Sequence, residues 1–187
     1  MTFLDTLLSS RAISRRGNAM SKCNSSMQLT RAADYGVRVM VHLAMLPAHE
    51  RALLPALATA TEAPVSFLSK VLQALSRANL ISSWRGKSGG FAILPRGRQA
   101  SMREVIEAID GPICLNVCLV RGKSCGRKSW CPAHPVWMRA QQAMLDVLSK
   151  AKMTELASTA PIGQFAPPAF RFAELKVIPT DTPVGPS

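Results

Sequence analysis

Apolar positions along the middle of the chain follow a helical period. Behind Thr30, which can cap a helix, Ala32, Tyr35, Val39, Leu43 and Leu46 recur at intervals of three and four, predicting a first helix that ends near Pro47. Leu54 to Thr61 predicts a short second helix, and Ala63-Pro64 breaks the pattern before a third begins around Ser66. In that third segment Leu68, Val71, Leu72 and Leu75 form an apolar stripe, with Ser66, Ser69, Lys70, Gln73 and Arg77 on the other face. The period then shortens: LISSW and GFAIL read as two strands joined by the basic, glycine-containing RGKSG, a hairpin signal. Ser101 to Asp110 predicts a further helix with Ser101 and Glu104 spaced as a capping box, after which Gly111-Pro112 opens a cysteine-rich loop. From His134 to Ala157 the only proline lies at the start, predicting one long helix of about six turns, with Trp137, Ala140, Met144, Val147 and Ala151 on one stripe.

Three helices followed by a hairpin is the order of a winged helix-turn-helix. The expected fold class is mainly α with a small β-hairpin wing, carrying a long C-terminal helix that packs on a second copy to form a homodimer. The expected organisation is a disordered extension over 1–26 or a true start at Met27, a winged helix-turn-helix over 27–110, a cysteine loop over 111–134, a dimerisation helix over 135–157 and a disordered tail over 158–187. Six prolines in the last 30 residues carry the last expectation.

Charge adds a partner to this outline. The 187 residues contain 23 Lys and Arg against 11 Asp and Glu, a formal +12 that suggests a polyanion. Between Glu62 and Glu104 there is no acidic residue, while Lys70, Arg77, Arg85, Lys87, Arg96, Arg98 and Arg103 all fall inside. That run contains the third helix and the hairpin. Ser66, Ser69, Lys70, Gln73 and Arg77 are therefore candidates for contacting double-stranded DNA in the major groove, and Arg85 and Lys87 for reaching a minor groove or phosphate from the wing. The plainer alternative is a solvated basic helical face. No stretch of 18 uncharged apolar residues is present and Asp5 interrupts the first apolar run, so neither a membrane span nor a secretory leader is expected and the cytoplasm is.

Four of the five cysteines lie between Cys114 and Cys131. Cys118, Cys125, Cys131 and His134 offer three thiols and an imidazole in a loop that also holds Arg121, Lys123, Arg127 and Lys128, which favour thiolates. Every Cys–Cys gap in the set is wider than a zinc knuckle, which leaves an iron-sulfur cluster and Zn2+ both open, with a thiol switch or plain reduced cysteines as blander alternatives. Cys114 reads as a small buried residue, His42 and His49 as packing or surface residues, and Met40, Met138 and Met144 as core. Gly86-Lys87-Ser88 is no P-loop, because the earlier glycine position is Ile81, and no catalytic motif appears, so an enzyme is not expected.

With these segments in view, the chain from Met27 to about Ala157 resembles the Rrf2 family of bacterial transcription regulators, of the iron-sulfur IscR, NsrR and RirA type. MQLTRAADYGVRVMVHLA resembles the family's opening helix, PVSFLSKVLQALSRANLISSWRGKSGGFAI its recognition helix and wing, and the three cysteines its cluster loop. The resemblance implies a homodimeric repressor that binds a palindromic operator under control of a 2Fe-2S or 4Fe-4S cluster. It carries the cluster thiolates onto Cys118, Cys125 and Cys131, with the fourth ligand either His134 or Asp34 from the partner subunit.

Overall fold

A computed structural model describes residues 29–48, 50–86, 89–120 and 125–160, together with the backbone of 177–179. The expectation for residues 1–26 lies outside these.

The first helix, α1 (Arg31–Met45), starts where the pattern puts it: the Thr30 hydroxyl accepts from the Ala33 N–H at 3.2 Å. The same hydroxyl donates to Asp110 Oδ1 at 2.7 Å, and the Thr30 N–H to Oδ2 at 3.3 Å. The carboxylate that ends one helix thus sits at the positive end of another. A three-residue strand, β1 (Glu50–Ala52), then leads into α2 (Leu54–Thr61) and α3 (Val65–Arg77). The hairpin follows as β2 (Ile81–Trp84) and β3 (Gly90–Ile93), paired antiparallel with Trp84 opposite Gly90. One turn, α4 (Pro95–Arg98), precedes α5 (Met102–Asp110), whose capping box is complete: the Ser101 N–H donates to Glu104 Oε2 at 2.8 Å, and Glu104 N–H returns to Ser101 Oγ at 3.2 Å.

The core lies where α1, α2, α3 and α5 meet the sheet. Val39, Met40 and Leu43 from α1, Leu57 from α2, Leu68, Val71, Leu72 and Leu75 from α3, and Val105 from α5 are nearly or fully excluded from solvent. Val39, Leu43 and the four α3 residues are stripe positions of the sequence pattern, whereas Ala32 and Tyr35 of the first stripe are only half-buried; each large core side chain contributes about 1.5–3 kcal/mol by burial. The fold is the expected winged helix-turn-helix, with a larger sheet: β1 joins β3, giving the order β2-β3-β1-β4. The fourth strand, β4 (Val177–Pro179), pairs antiparallel with β1. The 158–187 segment is therefore not structureless throughout; its remaining residues beyond 160 lie outside the description.

The long helix expected over 135–157 is two helices. The first, α6, covers His134–Lys150 and packs on α5, and the second, α7, covers Met153–Thr159 and packs on α1. Between them Lys152 is extended and bridges Ser101; the Met102 N–H donates to Ala151 O at 2.8 Å and the Met153 N–H to Ala100 O at 3.0 Å. These long-range bonds replace helical ones, and the break turns Met153 into the core with no exposed surface. Neither glycine nor proline marks it. Of the proposed α6 stripe, Trp137 and Met144 are half-buried, whereas Ala140 and Val147 are exposed; Leu145 and His134 are the helix's buried residues. Met138, read as core, is half exposed.

Candidate nucleic-acid interface and cysteine loop

The α2–α3 pair is joined by Glu62-Ala63-Pro64. Glu62 adopts a left-handed conformation (φ 53°, ψ 35°), and the N–H of Ala63 reaches back to Ala58 O at 3.0 Å. The turn closes α2 and starts α3 on Pro64 with no side-chain cap and no acidic residue in its first turn. On α3, Ser66, Lys70, Gln73 and Arg77 are exposed, one stripe opposite the buried leucines. Ser69 is less available: it is half-buried, and its hydroxyl donates to Val65 O at 3.1 Å. Phe67 flanks the stripe, edge-on to Tyr35 of α1 at 5.7 Å. Arg85 is exposed at the start of the wing turn, and Lys87 lies outside the described residues. Gly89 shapes this turn: a Cβ on it would come within 2.6 Å of Trp84 O and 2.9 Å of Gly86 O.

The acid-free basic run divides in two. Lys70, Arg77 and Arg85 extend into solvent, but three other arginines are engaged by the fold. Arg96 donates to Ala78 O at the end of α3, and Arg98 donates to Ala44 O at 2.9 Å and Leu46 O at 2.6 Å at the end of α1. Arg103 pairs with Glu107 at 3.1 Å on α5. Two of these cations complement helix C-termini. The sequence run thus overstates the charge offered to a polyanion.

Sequence reasoning also missed Arg51. It is 3% exposed on β1, with its guanidinium 5.0 Å from the Trp84 ring centroid. His42, expected as a packing residue, is buried on α1, and desolvation lowers its pKa to about 4, so it is neutral near pH 7. His49 lies outside the described residues.

The cysteine loop runs between α5 and α6. Cys118 lies in a single 3-10 turn (Val117–Leu119), and Cys125 and Cys131 bracket a series of tight turns in which Lys128 N–H donates to Cys125 O at 3.0 Å and Cys131 N–H to Arg127 O at 2.8 Å. All three are free, half-buried thiols; Cys114 is buried, as expected. His134 opens α6, is 8% exposed, and its Nδ1 has no hydrogen-bond partner among the described residues. A cleft of about 240 Å³ is lined by Cys118, Leu119, Lys128, His134, Met138 and Gln141, among others. Gln141 also accepts from the Leu115 N–H at 3.0 Å, fastening the start of the loop to α6; nothing in the sequence marks this bond.

The four expected ligands are thus only partly assembled. Cys118 and His134 share the cleft, Cys125 and Cys131 do not line it, and no three His, Cys, Asp or Glu side chains converge among the described residues, which omit 121–124. The donor set nonetheless fits an iron-sulfur cluster chemically: thiols for iron, and a buried imidazole nitrogen with no other partner among the described residues. Asp34, the alternative ligand, is exposed and paired with Arg38 at 2.9 Å.

A helix-turn-helix with an exposed polar and basic α3 stripe, followed by a β-hairpin wing, defines a winged helix-turn-helix DNA-binding transcription regulator. Residues 29–159 match the family described as Rrf2, iron-dependent transcriptional regulator. The chain belongs to the Rrf2 family, whose members are transcription regulators and not enzymes. It is 28% identical over 134 residues to an HTH-type transcriptional regulator of Mycobacterium tuberculosis, covering 72% of this chain and 83% of that one. It is 27% identical over 131 residues to the regulator NsrR of Shouchella clausii, covering 70% and 88%. The crystal structure of Staphylococcus aureus CymR superposes with a TM-score of 0.56 at 26% identity, over 68% of this chain and 96% of that one. Among the described residues no helix is long and apolar enough to cross a membrane.

Proposed function

We propose that the chain is a homodimeric repressor whose operator binding is controlled by an iron-sulfur cluster on Cys118, Cys125 and Cys131, with His134 as the fourth ligand. The observation that carries the choice is the His134 imidazole: a buried nitrogen with no partner among the described residues is costly unless something else binds it, and it shares its cleft with Cys118. Asp34 is the weaker candidate because it already has Arg38. The iron dependence in the family's description supports an iron-containing cofactor.

When bound, the cluster would supply a center that responds to iron supply, nitric oxide or redox state. The protein's part is mechanical. Gln141 holds the loop's first residues to α6, and α6 packs on α5, which packs on α1 and α3. Ordering or freeing the loop therefore bears on the helices that set the two α3 stripes of a dimer relative to each other. The exposed Val136, Met138 and Val147 of α6 supply an apolar surface for the second copy.

Anaerobically purified protein is expected to be brown, to contain iron and sulfide, and to bind a duplex selected from a random library differently before and after cluster removal. Cys118→Ser and His134→Ala should each lower cluster content while far-ultraviolet circular dichroism stays unchanged. Colorless protein with stoichiometric zinc, or equal DNA affinity with and without cluster, overturns the proposal. A monomer in sedimentation at micromolar concentration overturns the homodimer.

A further inference from the structure

The wing's most buried charge is not on the wing. Arg51 belongs to β1, on the far side of β3 from β2, yet its guanidinium lies over the ring of Trp84, at the end of β2. Gly90 of β3 stands directly opposite Trp84 and leaves the space between them. It has φ +149°, and a Cβ on it would lie 3.1 Å from Ala52 O and 3.4 Å from Arg51 Cβ. A side chain there would crowd β1. Without one, the glycine leaves a gap in the middle strand that Arg51 and Trp84 cover together, as an aromatic side chain commonly does for a strand glycine.

We infer that Arg51 is a positioning residue for DNA reading: stacked on Trp84, it fixes the base of the wing and hence the direction in which the next residue, Arg85, leaves the sheet. Five residues of wing turn on a two-stranded ribbon would otherwise sample many poses, because an isolated hairpin is marginally stable. Arg51 pins Trp84 to the third strand, and β1 is tied in turn to α2 through Leu53 and the first residues of that helix. The stack is shielded, since Arg51 is 3% exposed, so it holds more strongly than a surface cation–π pair. Arg51 touches no DNA in this arrangement; it acts through Trp84 and Arg85.

The inference rests on the assignment of Arg85 to DNA, and the test separates the two. Wild-type full-length protein and Arg85→Ala are each used to select duplexes from a random library. Positions whose sequence preference disappears with Arg85→Ala are the wing positions. Arg51→Leu and Trp84→Leu are then measured by fluorescence anisotropy on the wild-type-selected duplex and on one scrambled only at those positions. Both variants should lose about tenfold of the wild-type discrimination, the size expected for losing a shielded cation–aromatic contact. Preference at the remaining positions should be kept, and combination with Arg85→Ala should give no further loss. Arg51→Lys, which keeps a cation over the ring, should recover part of the discrimination. Thermal melts identify a variant that fails to fold, and the other variant then carries the test. If Arg85→Ala selects the same duplexes as wild type, the wing assignment falls and this inference with it. If Arg85→Ala loses its positions but both leucine variants keep theirs, or if the losses add, only the Arg51 inference is overturned.

Discussion

Replacing Arg98 with Met tests whether the cations that close helix ends differ in role from the exposed cations of the α3 stripe. Arg98 donates two hydrogen bonds, to Ala44 O at 2.9 Å and Leu46 O at 2.6 Å, closing the end of α1 from a site 52 and 54 residues away. Methionine keeps much of the apolar stem and removes both donors. A hydrogen bond from a charged group is worth about 1.5–3 kcal/mol, and water can reach this half-buried site to replace part of it, so the pair should cost about 2–3 kcal/mol. For a folded unit of roughly the family's extent, 29–159, each kcal/mol corresponds to about 3–4 °C, so the melting temperature should fall by roughly 7–11 °C. DNA binding should respond differently. The slope of log affinity against log salt follows the number of phosphates neutralised, and Arg98 is committed to carbonyls. Arg98→Met should leave that slope unchanged, while Lys70→Ala, which removes an exposed cation of the α3 stripe, should lower it by about one per protomer. Circular dichroism melts and anisotropy titrations from 50 to 300 mM KCl (about a sixfold range, ample for a slope) measure both. A variant melting within 2 °C (about half a kcal/mol) of wild type, with a slope reduced like that of Lys70→Ala, would show that Arg98 faces phosphate and that the division of charge is wrong.

Glu62→Gly should raise stability by about 0.5–1 kcal/mol in urea denaturation, because φ 53° strains a residue bearing a Cβ; a loss would show that the Glu62 side chain has a role the geometry does not reveal. Gly97→Ala should cost about 2–3 kcal/mol, since the new methyl would overlap Leu80 O, a backbone atom held in place by the Leu94 N–H at 3.0 Å; unchanged stability would mean α4 can shift freely. The Glu104 carboxyl is held below its ordinary pKa of 4.5, first by the Ser101 backbone hydrogen bond. The group therefore stabilises the fold above that value and loses the contribution as pH falls through its lower folded pKa. The stability gap between wild type and Glu104→Gln should be full at pH 7 and shrink below pH 4.5; a gap independent of pH contradicts the capping-box account.

Local chemistry made much of the fold legible. Thr30 and the Ser101–Glu104 pair announce helix starts through bonds three residues long, and Pro64 announces the turn before α3. The apolar stripe of α3 appears in the structure as its buried face. What escaped the pattern depends on partners far along the chain. The α6–α7 break comes from Lys152 meeting Ser101, and the three residues of β1 are too few to show a strand period. Arg96 and Arg98 look like DNA-binding cations until the helix ends they close are known. In the candidate site, the exposure of Ser66, Lys70, Gln73, Arg77 and Arg85 followed from residue type and order, while the half-burial of Ser69 did not. The bond from Leu115 to Gln141, the burial of His134 and the stack of Arg51 on Trp84 required three-dimensional neighbours.

The bridge between Ser101 and Lys152 has an architectural consequence. The chain leaves the winged domain at the end of α5 and comes home at Ala151, beside the start of that same helix, before α7 docks on α1. Residues 111–150, cysteines and α6 together, are thus an arm clasped at its root. Because the chain is anchored again behind it, at Ser101 and Lys152, the arm can change in length or sequence without moving the two ends that join it to the winged domain.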